Sequence, residues 1–276
     1  MTAESEGRDA AGAFRSEHRL GSQPLGSLVA LIEQTAGVDV AVVEAATDEH
    51  GMAMRDPARD VVFIVVAKTP HPMRQRSTLA HELAHVVFGD WEDPSRHAWA
   101  DRDRVEQRAD AFARHLLVPE PGVRELLAGR AKVDLGALSR VVQRFLVSPA
   151  MAAIALGGAG LVDDATKEEW RQVTTPTLAA RFGWVDQYRA LQTESNRSLA
   201  PQRLLGRATQ GYLEEVVSIQ TLARLRGVSA AEVEAELTEA GLVLPQRPPA
   251  WARPDELPEV EVDLSDLDGA SGAGGE

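Results

Sequence analysis

The sequence predicts an α+β fold: a small mixed β-sheet with packed helices, followed by a mostly helical region. Three observations carry this prediction. Residues 38–43, Val38-Asp39-Val40-Ala41-Val42-Val43, alternate as a half-buried strand does, and the apolar stretches at 52–55 and 61–66 flank Asp56-Pro57-Ala58-Arg59, a turn signal that makes them a hairpin. Apolar residues then recur at helical spacing through 79–88 and again through 105–116. From Leu135 onward the pattern stays helical and repeats: residues 135–162 align without gaps on 216–243, an offset of 81, with 8 of 28 positions identical.

Taken in order, residues 1–24 are polar and small, as expected of a disordered leader. Residues 25–36 form a first helix stopped by Gly37. The strand at 61–66 has two readings, a cleft rim whose edge an extended peptide could join or a fully buried core strand. Residues 89–103, with Trp91, Pro94, His97 and Trp99, are expected as a loop. The repeated unit reads helix, short turn at Val147-Ser148 or Val228-Ser229, helix, then glycine, the shape of a helix-turn-helix. Glu232, Glu234, Glu236 and Glu239 in the second copy oppose entry into a DNA groove, so packing or substrate docking is preferred; Arg130, Lys132, Arg140 and Arg144 around the first copy weaken that argument there. Residues 165–212 carry Trp170, Trp184 and Tyr188 and no chemical motif. Residues 245–276 start proline-rich and end acidic, the composition of a disordered tail.

The formal charge of −13 argues against nonspecific nucleic-acid binding, although eight acids and no Lys or Arg fall in 255–276, so the rest of the chain is only mildly acidic. Cysteine is absent, which removes disulfides and thiolate metal sites. The polar N-terminus does not read as a secretion signal, and the uncharged stretch 145–162, interrupted by Pro149 and three glycines, is a poor membrane span.

The chemistry concentrates in His81-Glu82-Leu83-Ala84-His85, an H-E-x-x-H motif. On a helix, residues i and i+4 share a face, so both imidazoles can address one Zn²⁺, which binds imidazole nitrogen at about 2.0–2.1 Å. Glu82, about 100° round the helix from His81, stands beside such an ion, where it can take a proton from water. The plain alternative is a helix with two structural histidines. Ser77 and Thr78 are N-cap candidates and Gly89 ends the helix. A hydrolytic zinc site needs a third protein ligand and an open fourth position. Residues 104–119 read as a second amphipathic helix stopped by Pro119, with Glu106 and Asp110 on one face. Glu106 would complete a His₂Glu set, and Asp110 could accept a hydrogen bond from a ligand histidine and fix its tautomer. Both acids could equally be solvated surface charges. His71, His97 and His115 are nearby oxyanion-donor candidates. Each is more simply structural or solvent-facing, and none is assigned.

The stretch from Arg76 through His85, followed by Glu106-x-x-Ala109-Asp110-x-Phe112-Ala113-x-x-Leu116-Leu117-x-Pro119, resembles the ImmA/IrrE family of metallopeptidases over about residues 25–165. The resemblance implies that His81, His85 and Glu106 bind zinc, that Glu82 is the catalytic base, and that Asp110 supports the helix packing or a ligand. It also implies a cytoplasmic protease that makes one cut in a helix-turn-helix repressor and so relieves repression. Ser77 stands where the family commonly has an aromatic, and Val118 where it has Met; neither touches the metal chemistry. Mn²⁺ and Fe²⁺ suit a His₂Glu set as well as Zn²⁺. The expected organisation is a zincin-like domain at 25–125, a helical region at 126–244 with helix-turn-helix units at 135–162 and 216–243, and the tail. The alternative is a non-catalytic regulator that binds DNA or a protein partner through its helical repeats; such a protein would have no chemical need for Glu82.

Overall fold

The computed structural model describes residues 1–46, 51–91, 99–130 and 132–242. The α+β fold is observed, with a three-stranded mixed sheet and many helices. Strand β1 (Asp39–Val43), β2 (Gly51–Asp56) and β3 (Val61–Ala67) are ordered β1-β3-β2, with β1 parallel and β2 antiparallel to β3. β3 is therefore the central strand, which rules out the reading of 61–66 as an edge; Ile64 and Val66 are buried and its other residues are half-buried, so it is not the fully buried strand of the other reading either. The outer side of β1 is taken by Leu199, whose N–H and C=O exchange hydrogen bonds with Val42 at 2.9 and 2.8 Å. Among the described residues no strand pairs with the outer side of β2.

The leader expected to be disordered contains a helix, α1 (Ala3–Glu17), capped by a reciprocal Thr2–Ser5 capping box. Its buried face is small (Gly7, Ala11, Phe14), so composition alone gave no sign of it. After α2 (Leu28–Thr35) comes α3 (Pro72–Phe88), the helix of the H-E-x-x-H motif. It starts at Pro72, five residues before the expected caps. A proline at the first position needs no hydrogen-bond acceptor for its nitrogen, and Ser77, instead of capping, turns its hydroxyl back to the Met73 carbonyl at 2.9 Å. Gly89 ends the helix in the left-handed region at φ 69°. The next helix, α4 (Trp99–Leu117), begins inside the expected 89–103 loop; residues 92–98, with Pro94 and His97, lie outside the described residues.

α4 packs between α1 and α3. Ala109, Phe112, Ala113 and Leu116 are buried, as the periodicity requires. On the α1 side the approach is so close that a Cβ on Gly7 would lie 2.5 Å from the Arg108 carbonyl oxygen and 2.6 Å from Phe112 N. The buried Arg15 guanidinium donates to the Leu116 carbonyl at 2.6 and 2.8 Å, meeting the negative end of the α4 dipole.

The chain continues through α5 (Glu120–Leu127), α6 (Leu135–Phe145), α7 (Pro149–Gly158), α8 (Asp164–Arg171), α9 (Thr175–Arg181) and α10 (Val185–Ser195). Buried residues from Ala11 to Tyr188 form one cluster, so the boundary expected near 125 does not separate two cores. α6 and α7 meet at 110°, and no single helix among the described residues is long and apolar enough to cross a membrane. A second, small core of Ala208, Leu222, Ala223 and Val233 joins α11 (Gln202–Leu213), α12 (Ile219–Arg226) and α13 (Ala230–Glu239). Both copies of the repeat are thus helix pairs, with Ser148 and Ser229 as the N-caps of their second helices. The acidic tail lies outside the described residues.

The Gly7 contact yields a prediction of sign. Helix propensity alone makes Gly→Ala stabilising by about 1 kcal/mol. Overpacking against α4 makes Gly7→Ala destabilising by about 1–3 kcal/mol, read as a lowered urea midpoint with an unchanged m-value.

Candidate metal centre

α3 and α4 bring three of the expected side chains to one point. One donor atom each from His81, His85 and Glu106 lie within 4.8 Å of one another, a grouping that can hold a metal ion. His81 and His85 are one helical turn apart, and their Nε2 atoms approach to 3.2 Å. Glu106 Oε2 lies 3.0 Å from His81 Nε2, and Glu106 Oε1 lies 3.9 Å from His85 Nε2. Both imidazoles use their other nitrogen elsewhere. His81 Nδ1 is 2.9 Å from Asp110 Oδ1, and His85 Nδ1 is 3.2 Å from Asp90 Oδ2.

The donor chemistry fits a divalent cation. A neutral imidazole has one N–H and one lone pair; spending the N–H of Nδ1 on a carboxylate leaves Nε2 as the lone-pair donor. Two such lone pairs facing each other at 3.2 Å repel unless a proton or a cation lies between them. Burial opposes a charge on His81, but hydrogen bonds to Asp110 and Glu106 outweigh it and push its pKa up to about 10. The same contact with His81 holds the Glu106 carboxyl below its ordinary value, against partial burial. The cluster therefore attracts positive charge, which a proton supplies when no metal does.

Glu82 is outside the cluster and beside it. It is one of the few buried charged residues, at 8% exposure. Burial pushes its pKa up, and the neighbouring Glu106 charge adds to this; the two histidines and the Ala53 amide act the other way. Strand β2 covers it closely: a Cβ on Gly51 would meet Thr78 Cγ2 at 2.5 Å and Glu82 Oε1 at 2.9 Å. Of the unassigned histidines, His71 is the N-cap of α3, at the far end of that helix, and His115 binds Glu4 Oε1 on α1 at 2.8 Å. Neither joins the cluster.

Sequence reasoning overlooked Gly51, Asp90 and Arg108. Gly51 carried the signal of a glycine at the head of a strand, where a close backbone approach is common. Asp90 directly follows the glycine that ends α3, so the turn swings it back towards His85. Arg108 donates to Asp90 Oδ1 at 2.6 Å.

Residues 36–156 match the model of the family described as the IrrE N-terminal-like domain, Peptidase M78. The match spans the sheet, α3 and α4. The comparison with curated proteins gives no match.

The charge balance at His81 makes metal-free stability depend on pH. A folded pKa of about 10 lies above the unfolded value of 6.5, so the contribution of His81 is fully present below pH 6.5 and is lost as pH rises through 10. Urea titrations in chelator should show stability falling across that window, and His81→Gln should flatten the slope.

Proposed function

We propose that this chain, which belongs through residues 36–156 to the IrrE N-terminal-like (Peptidase M78) family, is a zinc-dependent endopeptidase that makes a site-specific cut in a helix-turn-helix transcriptional repressor. The observation that most supports the chemistry is the convergence of His81, His85 and Glu106 with their outer nitrogens already engaged. In this reading those three residues are the metal ligands and Glu82 is the catalytic base. The choice of a repressor as substrate rests on the likeness of the paired motif to ImmA/IrrE peptidases.

A divalent ion, when bound, supplies Lewis acidity that acidifies water and polarises a carbonyl. The rest is the work of the chain. His81 and His85 present lone pairs from fixed rings, because Asp110 and Asp90 hold their Nδ1 protons. Glu82 takes the proton of the attacking water and returns it to the leaving amine. Its raised pKa brings the carboxylate nearer to neutrality, where a base both stays ionised and holds a proton usefully. The outer side of β2, without a strand partner among the described residues, supports binding of an extended peptide by backbone hydrogen bonds beside Glu82.

The test is incubation with a candidate helix-turn-helix repressor, with and without chelator, read by intact mass. One cut, abolished by chelator, is expected. Glu82→Gln should keep the metal and lower the cleavage rate by at least about 10²–10⁴-fold, whereas His85→Ala and Glu106→Ala should lose metal as well. Full activity of Glu82→Gln would remove the assignment. Gly51→Ala, which pushes on Glu82 Oε1, should lower kcat while leaving metal content unchanged.

A further inference from the structure

The two histidines are supported from different places. Asp110, which serves His81, comes from α4 one turn beyond Glu106. Asp90, which serves His85, lies in no helix. The left-handed turn at Gly89 folds the chain back so that the Asp90 N–H donates to the His85 carbonyl at 2.9 Å, while Asp90 Oδ2 lies 3.2 Å from Nδ1 of the same residue. Asp90 thus grips His85 by main chain and side chain together.

Its other carboxylate oxygen, Oδ1, accepts from Arg108 Nη2 at 2.6 Å, and that guanidinium lies 4.0 Å over the Phe88 ring. The side chains of Asp90 and Arg108 are 18% and 21% exposed. An ion pair so shielded, and stacked on an aromatic face, is held far more firmly than a solvated one. Arg108 stands between Glu106 and Asp110 in sequence, so α4 delivers a candidate ligand, the support of one histidine, and a brace for the support of the other. Against the backbone of the same residue, Arg108, lies Gly7 of α1, a helix outside the family match.

We propose that Asp90 and Arg108 are positioning residues of the metal centre. Asp90 accepts the Nδ1 proton of His85, fixing the tautomer that leaves Nε2 free to bind an ion, and Arg108 fixes the rotamer of Asp90. This rests on the metallopeptidase reading given above. A carboxylate so placed orients the imidazole and raises its basicity, and losing such a partner typically costs about 10–100-fold in metal affinity. An ion pair that merely fastened the end of α3 to α4 would behave otherwise: its loss would lower thermal stability and leave metal affinity alone.

Zn²⁺ affinity of the full chain, measured by competition with a chromophoric chelator and paired with thermal unfolding of the metal-free protein, separates these cases. Wild type and His85→Ala set the scale; equal affinity in the two would sink the metal-centre reading itself. With that scale set, Asp90→Ala should bind zinc about 10–100-fold more weakly. Arg108→Met should weaken binding in the same direction, and Arg108→Lys, which keeps the charge, should restore part of the loss. Affinity of Asp90→Ala within about threefold of wild type overturns the proposal, whatever happens to its Tm. Should that variant not fold, the isosteric Asp90→Asn is judged by the same threshold.

Discussion

The register of α4 against α3 is the constraint on which the candidate centre depends. Glu106 and Asp110 are one helical turn apart on one face, and they meet opposite nitrogens of the same ring, His81 Nε2 at 3.0 Å and Nδ1 at 2.9 Å. A slip of α4 by one turn, about 5.4 Å, would put Asp110 where Glu106 belongs and leave Nδ1 without a partner. Packing prevents it from both sides. Phe112 and Leu116 are fully buried, Gly7 lets the α1 backbone press on Arg108 and Phe112, and Arg15 grips the terminal Leu116 carbonyl. Large side chains and close backbone contacts specify one register because a shift would open voids and drive atoms together at once. The electrostatics of the cluster are thus a consequence of apolar packing two turns away.

This explains which parts of the molecule were legible in the sequence. H-E-x-x-H is a local pattern whose geometry follows from helical periodicity, so the proximity of His81 and His85 could be read directly. Glu106 and Asp110 were legible because their helix has an unambiguous apolar face and they sit off it. The order β1-β3-β2 was not legible: a continuous apolar stretch such as 61–66 suits an edge over a cleft or a buried centre equally, and only the parallel partner β1 decides. α1 was hidden by composition, because its contact face is built from Gly7, Ala11 and Phe14 in an otherwise polar segment. Small residues give close helix approach without a strong hydrophobic signal. The start of α3 was misplaced because Ser77 and Thr78 have cap chemistry, while the real start at Pro72 relies on backbone geometry.

The same distinction separates the two copies of the helical repeat. Their likeness in sequence, Val-Ser at the turn and Ala-Gly-Leu-Val at the end, encodes a serine N-cap and a left-handed glycine, and both are present in each copy. These residues specify how two helices join, and they say nothing about which faces are covered. In the first copy Pro149, Ala152, Ala153 and Leu156 pack into the main core. In the second, Val233 alone is fully buried on α13, and Glu234 and Glu239 project to solvent.

Asp90 and Glu82 carry this reasoning to the chemistry itself. A buried carboxylate costs free energy unless hydrogen bonds or opposite charges offset it. Asp90 is offset by Arg108 and His85. Glu82 has only the histidines and the Ala53 amide on its side, with Glu106 against it, and its pKa rises accordingly. Two acids eight residues apart in one segment thus receive different environments: Asp90 is paired with Arg108 and His85, whereas Glu82 is buried with its pKa raised. Glu82, buried, under-compensated and covered where strand β2 leaves no room for a Cβ at Gly51, has the environment that the proposed proton transfer calls for.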